Sequence, residues 1–124
     1  MAISIQARKA KARKLQQYIR DMILAHFPLL PDDARSTGMG QPGVDVQLSP
    51  KARKHFNFDV ECKCDENRSV WTCWKQAVDN EKKGKAILFM HKNHCDTLAV
   101  LRASDLFLML EELDTLRFPR EKLI

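Results

Sequence analysis

Apolar residues return at helical spacing through the first part of the chain. Ala7, Ala10, Leu15, Tyr18, Ile19, Met22 and Ile23 line one stripe of a helix predicted from Gln6 to about His26. Pro28 and Pro31 stop it. Residues 32–43 (DDARSTGMGQPG) show no period, only glycine, proline and small polar residues, and predict a loop. Residues 44–48 alternate well enough for a short strand. Ser49 and Pro50 then read as the N-cap and first position of a short helix to about His55.

The period next switches to two. Phe58, Val60, Cys62 and Cys64 alternate with Asp59, Glu61 and Lys63, so residues 57–64 predict a strand with one apolar and one charged face. Residues 65–68 turn the chain. Ser69 caps a helix expected to reach Lys83, with Gly84 just past its end and Val70, Trp71, Trp74, Ala77 and Val78 on its buried side. Residues 85–91 form a continuous apolar strand and residues 97–102 another. Ser104 caps a last helix to about Glu112, and the tail beyond packs on a partner or frays. The order α, β, short α, β, α, β, β, α predicts an α/β fold, a central mixed sheet with helices on both faces.

At 124 residues the chain makes one domain: a basic helix over residues 1–26, a core over 44–112 and a tail over 113–124. A composition 44% hydrophobic and 30% charged excludes a disordered chain. The longest apolar run is too short to cross a bilayer, and no apolar stretch behind the basic start resembles a signal peptide, so a cytoplasmic protein with no membrane partner is expected. The net charge of +5 is confined to residues 1–26, where Arg8, Lys9, Lys11, Arg13, Lys14 and Arg20 stand against Asp21 alone. The rest of the chain carries 15 charges of each sign. Such a segment suits a polyanion-binding face, and serves equally as a solvated helix surface.

The strand over 57–64 carries the candidate chemistry. Glu61 and Lys63 project from one side, and charges on a strand otherwise fit for a core need partners or a metal. If Asp45 ends the neighbouring strand, two carboxylates and an ammonium converge. The alternatives are bland: a turn-capping Asp45, and an exposed ion pair between Glu61 and Lys63. Asp59 shares the Glu61 face and reads as a carboxylate behind the site or, more simply, as a solubilising edge charge. Zinc held by Cys62, Cys64 and Cys73, or by His91, His94 and Cys95, is disfavoured because no CxxC pair is present and buried cysteine is an ordinary small hydrophobe.

Taken together, Arg35-Ser36-Thr37-Gly38-Met39-Gly40, Gly43-Val44-Asp45, Leu48-Ser49-Pro50 with Arg53, Glu61-Cys62-Lys63, and Trp74-Lys75-Gln76-Ala77 with Asn80 resemble the PD-(D/E)xK nuclease superfamily. The closer likeness is to small phage and prophage endonucleases grouped with Holliday-junction resolvases. The resemblance implies a restriction-endonuclease-like core and a metal-dependent endonuclease acting on branched or recombining DNA. It implies Mg²⁺ or Mn²⁺ held by Asp45, Glu61 and the backbone carbonyl of Cys62, with Lys63 orienting or deprotonating the attacking water. Gln76 would support the site, and Ser36 would lie near the scissile phosphate. Val44 replaces the proline of the superfamily's name. The first helix lacks the glutamate of archaeal resolvases, and Gln16 or Gln17 stands there instead.

On this reading Arg8, Lys9, Lys11, Arg13, Lys14, Arg35, Lys51, Arg53 and Lys54 grip DNA phosphates. Symmetric cleavage of a four-way junction implies a homodimer. No nucleotide cofactor is expected, and a phage-derived protein would act in the bacterial cytoplasm. Trp71 and Trp74 are expected in the core, although an exposed tryptophan would stack on a splayed base. Two other functions fit the same residues: a DNA-binding module without catalysis on a nuclease fold, and a nicking or restriction-type enzyme acting on linear duplex.

Overall fold

The computed structural model describes residues 4–38, 43–63 and 67–120. It opens with α1 (Ile5–His26), capped by Ser4, whose hydroxyl accepts the Ala7 N–H at 3.1 Å. Leu15, Gln16, Ile19 and Ile23 form its buried stripe. A single 3₁₀ turn (Pro31–Asp33) leads into β1 (Ala34–Ser36). The sequence predicted only a loop here. The backbone forms a strand because the Ser49 N–H donates to the Asp33 carbonyl and the Thr37 N–H to the Asp45 carbonyl, both at 2.9 Å, clamping β1 on β2 (Val46–Leu48) at each end. Pairing thus overrides weak strand propensity.

Ser49 caps the short α2 (Pro50–His55) as its sequence requires, and β3 (Phe58–Lys63) follows. α3 (Val70–Asp79) crosses to β4 (Lys85–Met90), then come β5 (Leu98–Val100) and α4 (Ala103–Arg117). The five strands lie in the order β1-β2-β3-β4-β5. β3 and β4 are parallel, as a helical crossover demands, and every other pair is antiparallel. The fold is therefore α/β, with a five-stranded mixed sheet between helices. No helix among the described residues is long and apolar enough to cross a membrane.

Strand alternation divides the core. Val46, Val60, Cys62 and Ile87 meet Leu15, Ile19 and Ile23 of α1 on one face, while Ala86 and Leu88 meet Cys73 and Ala77 of α3 on the other. α3 is shorter than expected. Asp59 takes the N–H groups of Lys82 at 2.6 Å and Lys83 at 3.0 Å, and so pulls those residues out of helical hydrogen bonding. Gly84 consequently serves no helix end. A Cβ there would stand 2.6 Å from the Asn57 carbonyl oxygen, so the return into β4 needs glycine for close approach.

The apolar side of α3 also differs from expectation. Val70 and Trp71 are exposed, Trp71 at 80%. Trp74 is half-buried under Arg102, whose guanidinium sits 5.5 Å from the ring. Arg102 also forks onto Glu81, with Nη2 donating to Oε1 at 2.8 Å, and Glu81 accepts the Ala86 N–H at 2.7 Å. Arg102 holds the Glu81 carboxyl well below its usual range, at about 2. This clamp ties the start of β4 to the start of α4. α4 itself extends to Arg117, past the expected end, with Arg102 rather than Ser104 at its cap position. Cys62 and Cys73 pack in separate cores on opposite faces, which removes the first zinc arrangement, and Cys64 lies outside the described residues. The turn residues Asp65 and Glu66, Met39 and Gly40 of the loop, and the tail beyond residue 120 also lie outside them.

Candidate active site

Asp45 reaches β3 through a turn in which Gly43 adopts a left-handed φ of +91°. Its N–H donates to the Val60 carbonyl at 2.8 Å, and its Oδ2 accepts the Cys62 N–H at 2.7 Å. A carboxylate that bonds the backbone of the next strand cannot wander. Thr37 fixes the approach from behind, its hydroxyl donating to the Val44 and Asp45 carbonyls, each at 3.1 Å. Sequence reasoning assigned Thr37 no role of its own.

Glu61 is 3% exposed and lies on the same strand face as Lys63, whose Nζ stands 3.4 Å from Glu61 Oε1. Asn80, at the end of α3, donates from Nδ2 to Glu61 Oε2 at 3.1 Å. Gln76, expected to support the site, is exposed one turn earlier on α3, so the amide that reaches Glu61 belongs to Asn80. Burial raises the Asp45 carboxyl to about 6. The Cys62 N–H opposes that rise, the Glu61 charge adds to it and the Lys63 charge subtracts. Asp45, Glu61 and Lys63 thus converge, carrying two negative charges against one positive.

The donor set fits a hard divalent cation. Both side-chain donors are carboxylates, and their excess negative charge in a largely buried place is what such a cation neutralises. Backbone alternation supplies a third oxygen. The Val60 carbonyl points toward Asp45, and in a strand the carbonyl two residues on, that of Cys62, points the same way. The set does not fit zinc. Burial, with Asp45 and Glu61 nearby, pushes the Cys62 thiol up, away from the thiolate form. No group of three or more His, Cys, Asp or Glu side chains gathers among the described residues, the second zinc arrangement included. A cation here would have only two acidic side chains, which suits Mg²⁺ keeping several waters.

Ser36 ends β1 opposite Val46, two strands from Glu61. Gln16 is buried on α1, which packs across β3, and its Oε1 has no hydrogen-bond partner among the described residues. Gln17 is exposed. Asp59 is 2% exposed, so it is no solubilising edge charge. It pairs with Arg53 Nη2 at 2.8 Å and anchors the loop after α3. Arg53 is therefore committed inside the protein, while Lys51 and Lys54 of the same short helix are exposed. Arg35 is exposed beside Asp32 at 3.8 Å.

Arg8, Lys9, Arg13 and Lys14 are exposed along α1, and Lys11 is half-buried. Lys11, Lys14, Tyr18, His91, Asn93 and Thr97 line an open cavity of about 440 Å³. His91 donates its N–H to the Lys63 carbonyl at 3.1 Å, so this basic cavity borders the strand end that carries the site. Compared with known proteins, the chain matches no family model, no curated protein and no solved structure.

Proposed function

We propose that this protein is a metal-dependent DNA endonuclease of the PD-(D/E)xK type, acting on branched or recombining DNA. The observation that carries this reading is the meeting of Asp45, Glu61 and Lys63, drawn from the bend before β2 and from β3 and joined by the Asp45 bond to the Cys62 N–H. Asp45, Glu61 and the Cys62 carbonyl would hold Mg²⁺ or Mn²⁺. When bound, that ion supplies an activated water and offsets charge at the phosphate. Lys63, held 3.4 Å from Glu61 Oε1, would orient that water and balance charge developing on the phosphoryl oxygens. Glu61 holds the ammonium in place, and Asn80 holds Glu61.

The basic face of α1 and the exposed Lys51 and Lys54 would carry the DNA backbone. Their contacts give salt-dependent affinity with little sequence preference. The cavity beside His91 gathers Lys11, Lys14 and Tyr18 near the end of β3, on the α1 face of the sheet, opposite the face from which Glu61 and Lys63 project. Symmetric resolution of a junction calls for two such sites in a two-fold dimer.

One observation favours the rival without catalysis: both Glu61 oxygens already have protein partners. Labelled four-way junction, flap, single strand and linear duplex, offered with Mg²⁺, Mn²⁺ or EDTA, separate the readings. Junction cutting that EDTA, Asp45→Asn and Lys63→Ala each abolish supports the resolvase-like enzyme. Cutting of linear duplex alone points to the nicking or restriction type, and tight binding without any cutting points to the binding module.

A further inference from the structure

We infer that α4 is a dimerisation helix that lies parallel to α4 of a second copy of this chain. The inference names the interface of the pair that the proposed function calls for, but it is argued from α4 alone. α4 is 15 residues long and buries none of them. Its least exposed large apolar residues, Leu106, Met109, Leu110 and Leu113, remain 40% or more exposed, and Phe107, Leu108, Leu116 and Phe118 more than 60%. By contrast α1 buries four residues and α3 two. A helix of this length is marginal in water by itself, and its stability in a protein comes from packing an apolar face. Among the described residues almost nothing packs on α4. Another surface must.

The sequence of the helix says which. Leu106, Met109, Leu113 and Leu116 are spaced by three, four and three residues, the alternating a and d positions of two heptads. Leu110, in the e position, widens the seam, and Asp105 and Glu112 hold the g positions on the other flank, with Arg117 the second e residue. In a parallel pair the g residue of one helix lies beside the e residue of the partner's next heptad, which sets each Glu112 against an Arg117 of the other copy. An antiparallel pair would instead lay the acidic g edge along itself. The charge pattern is thus complementary to its own copy in one orientation. The seam itself is Leu106, Met109, Leu110, Leu113 and Leu116, each 40% or more exposed, with Phe107 on the outer flank.

Light scattering or sedimentation of the full chain from about 1 to about 100 µM tests this by mass action. The wild type is expected to be a dimer and Leu113→Glu a monomer whose far-ultraviolet circular dichroism retains the signal of the sheet and of α1. Glu112→Lys and Arg117→Glu should each weaken dimerisation about fivefold or more, and the double exchange should restore it. A monomeric wild type overturns the proposal, as does a dimer indifferent to Leu113→Glu or a double exchange no tighter than the single ones. Dimerisation of Asp45→Asn at wild-type strength, with or without nuclease activity, keeps this outcome separate from the fate of the nuclease reading.

Discussion

Asp59 and Glu61 sit two residues apart on one face of β3 and are equally buried, at 2% and 3% exposure, yet they live in opposite electrostatic surroundings. Burial pushes the Asp59 carboxyl up, but the Lys82 N–H, Arg53 and further loop N–H groups outweigh it and hold it below its ordinary range. Charge and hydrogen-bonding capacity are both satisfied there. Around Glu61, one ammonium faces two carboxylates, and Asp45 is driven up to about 6. Burial therefore does not mark function on this strand. What separates the two positions is whether the protein completes the charge balance itself or leaves a negative remainder.

The largest test of that contrast is Asp59→Ala. It strands the Arg53 guanidinium, whose side chain is only 15% exposed, and frees two loop N–H groups. A loss of about 3 kcal/mol in urea unfolding is expected, since removing one partner leaves a buried charge uncompensated. A change below about 1 kcal/mol would show that the Asp59 cluster contributes only what a surface pair does.

Asp45→Asn should act in the other direction, by about 1–2 kcal/mol. The folded carboxyl titrates near 6, above its ordinary 3.8, so its favourable contribution is full below about pH 4 and lost as pH rises through 6. In metal-free buffer the variant should therefore be more stable than wild type at pH 8, with the gap closing toward pH 4. Mg²⁺ should offset that gap. Saturating cation at about ten times its dissociation constant adds about 1.4 kcal/mol to the wild type and nothing to the variant, read as a shift in melting temperature. Equal shifts in both proteins would remove the cation from Asp45.

The contrast also shows what the sequence disclosed. Period two across Phe58–Lys63 put Glu61 and Lys63 on one side, whereas Asp45, expected within the strand over 44–48, lies in the bend just before β2. Ser49-Pro50 announced α2 through local chemistry alone. β1 stayed hidden because its strand character comes from backbone bonds to residues 45 and 49, far along the chain. Arg53 looked like one more cation in a basic run. Its partner, Asp59, is six residues away and turned inward by the strand. Ala77 was read correctly onto the buried side of α3, but Val70 and Trp71 were placed there with it, and Cys73 is the residue that fills that position. Asn80 was passed over because its role depends on where α3 ends, and that is set by Asp59 capturing the next amides.

The smallest effect follows from that last dependence and separates sequence pattern from geometry. Asn80→Ala removes the amide donor that Glu61 Oε2 accepts from the end of α3, while Gln76→Ala trims an exposed side chain. If Asn80 positions Glu61, its loss should cost about 1 kcal/mol of stability and lower nuclease turnover several-fold, with substrate affinity unchanged because neither residue lies on the basic face. Asn80→Asp should be worse than alanine, since it sets a third carboxylate against Glu61. Gln76→Ala should leave both stability and turnover within experimental scatter. The reverse ranking would mean that Gln76 swings in when DNA and metal bind, and that the Asn80 contact belongs to the resting protein.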